Sequence, residues 1–351
     1  QRGGDAEQRH VAVALANKRR EAAGGPIGVE RDEVVAETRD RRVLERCEGF
    51  VHRALGVPMT ADARFGIASG SKAFTALAVM CLVEQGVLGL SDRVREWLGD
   101  DLPLVDDGVT IEHLLEHTAG IGDYLDEDGG WCPSQFVMTL PVHTLTTAQA
   151  FLPMLDGHAQ RGEPGLRFTY CNSDYAVLAV VLERATGQGY HDVVRRLVLE
   201  PAGLEHTGFL PLNDLPGDVA LGYLNPEGNL VNTLHLPVLA AGDGGAFTTA
   251  TDLHRFWGAL TAGQIVSPAT LARMTAARHD VPEEGMRSAM GFWLHRSHPA
   301  LIIEGYDAGV SFRSTHLDES RTTVSVLGNS SEGAWPVIAT LARDIDVELA
   351  R

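Results

Sequence analysis

From Ala73 to Val83 the chain reads Ala-Phe-Thr-Ala-Leu-Ala-Val-Met-Cys-Leu-Val, with no glycine or proline. Such residues favour a helix, and a helix apolar on every side belongs in a core. Gly86 and Gly89 supply its stop. A second apolar run, Ala176 to Leu182, predicts another buried helix. Alternation over Ile27–Thr38 predicts one or two strands. The pattern at Val11–Ala23 predicts an N-terminal helix closed by Gly24-Gly25-Pro26. Arg39–Arg46 is a charge run and reads as a solvated face. Between 287 and 327 the pattern becomes strand-like, at Met290–Leu294, Ala300–Glu304, Val310–Phe312 and Thr322–Leu327. Gly328-Asn329 reads as a turn and Trp335–Leu349 as a closing helix packed on the sheet.

This order places strands at both chain ends and helices between them. The expectation is one α/β domain over 1–351, an α+β sandwich with an antiparallel sheet flanked by helices. A sheet lobe at about 1–72 and 236–351 would carry an inserted, mostly helical lobe at about 73–235. Long Gly/Pro loops interrupt the helical part. One of them, Gly129-Gly130-Trp131-Cys132-Pro133, lies near enough in sequence to His117 to overhang a cleft.

Composition narrows the function. Apolar content of 44% and charged content of 22% are ordinary for a globular chain. A net charge of −18 argues against nucleic acid and anionic membrane surfaces as partners. No apolar run reaches membrane-spanning length. Residues 1–10 lack the apolar core of a signal peptide. Cys47, Cys81, Cys132 and Cys171 have neither zinc nor disulfide-framework spacing. Free thiols suit a reducing compartment, so a cytoplasmic location is expected, with secretion left open by a chain that starts at Gln1. No cofactor is expected.

Lysine usage is the sharpest chemical clue. Of 29 basic residues only Lys18 and Lys72 are lysine. Arginine serves any surface cation site but cannot give up its proton, whereas a buried lysine can. Lys18 lies in a charge run. Lys72 follows Ser69 by three residues, in Ala68-Ser69-Gly70-Ser71-Lys72 at the head of the first buried helix. Residues three apart share a helix face, and Ser-x-x-Lys at a helix start is a nucleophile–base pair. A capping serine followed by a surface lysine is the plain alternative. A second segment, Tyr170-Cys171-Asn172, precedes the second buried helix. Its phenol can shuttle a proton and its amide can orient a lysine or a carbonyl. A core tyrosine followed by a capping asparagine is again the plain alternative.

With these stretches the chain resembles the serine β-lactamase and penicillin-binding-protein superfamily, in the branch of class C β-lactamases, DD-peptidases and esterases. Phe65–Lys72, Leu82–Leu88, Leu114-Leu115-Glu116-His117-Thr118-Ala119-Gly120-Ile121, Glu200–Leu204, Thr207–Phe209, Gly242–Gly245 and Thr248–Leu253 carry the resemblance in order. It implies a site in a crevice between lobes. Ser69 would be the nucleophile, Lys72 and Tyr170 the proton carriers, and Asn172 the residue that orients Lys72. The family's third motif, Lys- or His-Thr/Ser-Gly, aligns on Gly305-Tyr306-Asp307, where no cation stands. By the same count Ala308 would donate the second oxyanion N–H beside that of Ser69. Tyr306 and Asp307 would face the substrate.

Without that cation, a neutral ester or amide donor is expected, with water or an amine or alcohol as acceptor. A β-lactamase or D-Ala-D-Ala carboxypeptidase is the alternative, and a non-catalytic binding protein on the same scaffold is an alternative of another class. His113-Leu114-Leu115-Glu116-His117 also reads as a zinc-peptidase pattern, with two histidines on one helix face. In the resembling family His117 is structural.

Overall fold

The computed structural model describes residues 8–15, 34–38, 41–125, 127 and 132–341. Strands β1 (Gln8–Leu15), β2 (Val34–Thr38) and β3 (Arg41–Glu48) come from the start of the chain. Six more come from the end: β4 (His279–Val281), β5 (Met286–Ser288), β6 (Trp293–His295), β7 (Ala300–Asp307), β8 (Val310–Leu317) and β9 (Thr322–Gly328). They form one nine-stranded sheet in the order β2-β3-β1-β9-β8-β7-β6-β5-β4. Pairing is antiparallel except that β1 runs parallel to both β3 and β9.

Helix α1 (Lys72–Glu84) and helix α3 (Asn172–Thr186) are the two predicted core helices. Every residue of α1 from Lys72 to Leu82 is buried, as its lack of a polar face requires. Between them in sequence lies the short helix α2 (Ile111–Leu115). Helix α4 (Ala250–Thr261) lies on the sheet, with Trp257 Nε1 donating to Ser314 Oγ at 2.9 Å and the Phe256 ring edge-on to Phe74 of α1. A further helix at 335–341 covers Val326 on the sheet in a cluster of its own with Ala334 and Ile338. Adjacent residues on β9 thus face different layers, Leu327 the main core and Val326 this cluster. The result is the α/β sandwich expected from the order of the elements.

Three local expectations change. The segment beginning at Val11 is strand β1, not a helix: Val11 and Val13 are β-branched and alternate with alanine, and the edge of β9 offers a ladder. Residues 16–23 of that expected helix, and 27–33 of the expected strand region, lie outside the described residues. The charge run, expected only as a solvated face, forms β3 over its described part 41–46, an inner strand between β1 and β2. The strand expected at Met290–Leu294 starts only at Trp293, because Gly291 takes φ +77° and its α-carbon approaches Ala76 of α1 too closely for a side chain. Gly129, Gly130 and Trp131 of the overhanging loop, and the closing helix beyond 341, are also outside the described residues. No helix among the described residues is long and apolar enough to cross a membrane.

Candidate active site

Ser69 stands in a tight 3-10 turn, Ala68–Ser71, that leads directly into α1. In that geometry residues three apart eclipse one another, so Ser69 and Lys72 align along one side. Lys72 Nζ lies 2.9 Å from Ser69 Oγ. The turn is entered through Ala68 at φ +44°, a left-handed conformation that a residue with a side chain adopts at a cost. Two glycines let other elements close on it. A Cβ at Gly70 would stand 2.7 Å from the Phe312 ring, and one at Gly305 would stand 2.0 Å from the Ile67 carbonyl oxygen and 2.9 Å from Ser69 N. Strand β7 therefore passes against the serine's own backbone only because position 305 has no side chain.

Lys72 is 4% exposed and its Nζ lies within hydrogen-bond reach of three oxygens: Ser69 Oγ, Asn172 Oδ1 at 2.8 Å and the Asp243 carbonyl at 2.8 Å. Burial lowers its pKa from 10.5, and the nearby carboxylates of Asp243, Glu127 and Asp123 oppose that shift. Asn172 is the first residue of α3. Its backbone N–H donates to Asp123 Oδ2 at 2.9 Å, and that of Ser173 to Asp123 Oδ1 at 3.1 Å, so a carboxylate from a distant loop caps this helix. The Asn172 amide nitrogen donates to Glu127 Oε1 at 2.7 Å, which fixes its oxygen towards Lys72.

The Tyr170 hydroxyl lies beside Ser69, and Lys72 Nζ sits 5.0 Å from the tyrosine ring centre. Burial, reinforced by Glu127, holds the phenol pKa well above 10. The ring is clasped between His117, with centroids 4.7 Å apart, and Trp293, stacked at 6.1 Å. His117 takes φ +55° and its carbonyl accepts from Thr169 N at 2.8 Å. Its Nδ1 meets Asp174 Oδ2 at 3.0 Å and the Cys171 N–H at 3.3 Å. Burial and the Lys72 charge push the imidazole well below its usual pKa.

The zinc-motif geometry is not present. Helix α2 ends at Leu115, so His117 leaves the helix face that carries His113. The His113 ring accepts from Thr110 N in a capping box.

The third-motif segment is the end of β7 and its hairpin turn. Ala308 does not fill its expected place. Its N–H donates to Asp307 Oδ1 at 2.7 Å, its carbonyl accepts from Asn232 Nδ2 at 2.8 Å, and the residue is fully buried. Asp307 and Val310 close the two-residue turn, and Tyr306 faces Ser311 in the next pair. Antiparallel pairs alternate between bonded and non-bonded, so the Tyr306 N–H and C=O point away from β8, to the edge where β7 meets the Ser69 turn. Burial raises the Asp307 carboxyl to about 7.

Among the described residues three cavities reach Ser69, a small one of about 380 Å³ beside Lys72, Tyr170 and Trp293, and two larger ones. One, of about 1060 Å³, is mostly apolar, lined by Phe136, Leu212, Leu236 and Val310 among others, with Asp243 and Asp307 at its polar end. The other is an open cleft of about 1880 Å³ that also reaches Tyr170 and Trp293. It carries Asp123, Glu127, Glu283, Glu284, Glu304 and Glu332 against Arg161 and Arg313. Arg313 is bonded across the ladder to Glu304.

Sequence reasoning brought Ser69, Lys72, Tyr170 and Asn172 to one place. It missed Asp243, Tyr124, whose hydroxyl donates to Asp243 Oδ2, and the carboxylates Asp123 and Glu127. The only signal for these was Gly242-Asp243-Gly244-Gly245, in which Gly242 and Gly245 take φ +88° and +84°.

Comparison with known proteins shows the family. A family model described as beta-lactamase matches residues 8–345. Penicillin-binding protein 4* of Bacillus subtilis is 33% identical over 238 residues, 63% of this chain, and the chain spans only 50% of that protein's length. Esterase EstB of Burkholderia gladioli is 30% identical over 279 residues, 72% of this chain and 70% of the esterase. The crystal structure of a penicillin binding protein from Bacillus halodurans superposes with a TM-score of 0.76 at 33% identity, covering 84% of this chain and 90% of that one. The chain belongs to the beta-lactamase family of serine hydrolases and penicillin-binding proteins.

Proposed function

We propose that the protein is a serine hydrolase or acyltransferase that forms an acyl-enzyme at Ser69 from a neutral ester or amide. One observation carries this reading, the set of three contacts around the Lys72 amine. Asn172 Oδ1 and the Asp243 carbonyl only accept hydrogen bonds. A neutral amine has two N–H bonds and one lone pair. With both N–H bonds directed at those oxygens, the lone pair faces the Ser69 hydroxyl. Lys72 is then the base. Tyr170, kept as a phenol by its raised pKa, relays the proton instead of abstracting it.

In the reaction, Ser69 Oγ bonds to the carbonyl carbon while its proton passes to Lys72. The N–H groups of Ser69 and Tyr306 hold the oxyanion, a large part of such catalysis. Collapse breaks the bond to the leaving alcohol or amine, which takes the proton through Tyr170. Water, or an amine or alcohol acceptor, then attacks the acyl carbon and gives its proton to Lys72; the bond to Ser69 Oγ breaks and Lys72 returns the proton to the serine, which frees the acid, amide or ester.

Substrate charge follows from the cleft. The cation position of the family's third motif falls on Gly305, and two residues earlier it would be the buried Ile303. Penicillin recognition is the second reading, favoured by Arg313 on the cleft wall. The Glu304 carboxylate bonded to that guanidinium offsets the charge an anionic substrate would use.

Intact-mass spectrometry tests the reading. A fluorophosphonate should add one adduct to the wild type and none to Ser69→Ala. Lys72→Arg should be unreactive, because guanidinium cannot act as base. Labelling that persists in Ser69→Ala would sink the proposal.

A further inference from the structure

The apolar cavity beside Ser69 takes no part in the proton transfers above. Its walls come from separate segments, with Phe136 on one, Leu210, Leu212 and Leu215 on another, and Leu236 and Val238 on a third. Main-chain bonds tie the second and third of these together and anchor the third to Val142. Leu212 N–H donates to the Val238 carbonyl at 2.9 Å, and Val238 N–H to the Val142 carbonyl at 3.0 Å. The cavity is thus built by backbone pairing rather than by loose side chains.

Two placements orient a substrate across Ser69. Ser69 lines both the apolar cavity and the open cleft, whereas Tyr170 lines the cleft and not the cavity. A leaving group that receives its proton by way of Tyr170 must depart on the cleft side. The acyl part, bonded to Ser69 Oγ, is left the other direction. Several polar groups next to the cavity are engaged already, Tyr124 with Asp243 and Asn232 with the Ala308 carbonyl, while His235 Nδ1 and Asn329 Oδ1 on the lining are buried without a partner. The other walls offer mostly aliphatic and aromatic carbon.

We infer that this cavity is the acyl-chain site and that the acyl donor carries a straight aliphatic chain of several carbons. The inference rests on Ser69 being the nucleophile. Burial of each methylene in such a site is worth about a fourfold gain when the chain is held in the transition state.

The test is the chain-length dependence of kcat/KM for p-nitrophenyl acetate, butyrate, hexanoate and octanoate. Each two-carbon step should raise kcat/KM about fifteenfold until the cavity is filled. In Leu215→Trp, which puts an indole into the cavity, the octanoate-to-acetate ratio should collapse. Labelling of the wild-type enzyme by alkyl fluorophosphonates of the same lengths needs no variant, and its rate should follow the same order. A flat or falling series in both measurements, with Ser69 still labelled, overturns the acyl-chain site and leaves the nucleophile in place. No labelling of Ser69 at any length overturns both.

Discussion

Two titrations separate the roles of single residues. Lys72 is held below 10.5 chiefly by burial, so its neutral, base-competent form is reached at lower pH than for an exposed lysine. Hydrolysis of a neutral ester should rise with pH along an acid limb and reach its plateau before pH 10.5; a rate that falls from acid to neutral pH would remove Lys72 from the base role. Asp307 shifts the other way, from 3.8 to about 7, chiefly by burial. A raised carboxyl contributes stability that is present below the unfolded value of 3.8 and lost as pH rises through about 7. Asp307→Asn should therefore gain on the wild type from about pH 4 to about pH 7 and keep a level advantage above that, about 2 kcal/mol once solvent screening is discounted. Thermal melts at several pH values measure it, and a constant difference would show that the carboxyl titrates normally.

At the scale of elements, the site depends on how closely strand β7 and helix α3 approach the Ser69 turn. Gly305→Ala would drive a methyl group into the Ile67 carbonyl and Ser69 N. Strand β7 must then retreat, at about 1–3 kcal/mol of strain, and the Tyr306 N–H moves off the oxyanion position. A loss in kcat of about a hundredfold is expected, within the range for losing one oxyanion donor, with KM changed far less. Full activity in Gly305→Ala would mean the close approach is not needed. Helix α3 is placed by Asp123, which accepts the Asn172 and Ser173 N–H groups. Asp123→Ala should cost about 1 kcal/mol of stability for the lost cap. It should also lower kcat, because Asn172 would no longer hold the Lys72 amine.

The whole molecule carries a net charge of −18, and its open cleft repeats that sign. Anionic penicillins should be processed with kcat/KM below about 10⁵ M⁻¹s⁻¹, under much of the ordinary enzyme range. Added salt should improve what turnover there is by screening the cleft, and should leave neutral esters nearly unaffected. Efficient penicillin turnover at low salt would show that Arg313, despite Glu304, serves as the substrate cation.

The sequence by itself determined the local elements whose pattern admits one solution. The all-apolar run 73–83 had to be a buried helix, the strand-rich end had to form a sheet, and the scarce lysine marked Lys72. Ser69 and Lys72 meet within four residues, so their contact was legible from spacing. Where local pattern was ambiguous, tertiary pairing decided: Val11–Leu15 is a strand because β9 needed a partner, and the charged segment 41–48 is an inner strand because β1 pairs with it. The partners of the site came from far along the chain. Asp243 reaches Lys72 across 171 residues and Asp123 reaches Asn172 across 49, and no periodicity records such contacts. The proposed second oxyanion donor is likewise Tyr306 rather than Ala308, because N–H direction alternates along a strand and is fixed only by register with the neighbouring strand. Composition and spacing thus singled out Ser69, Lys72, Tyr170 and Asn172 as candidates, and the packing of β7 and α3 onto one strained turn decided how they face each other.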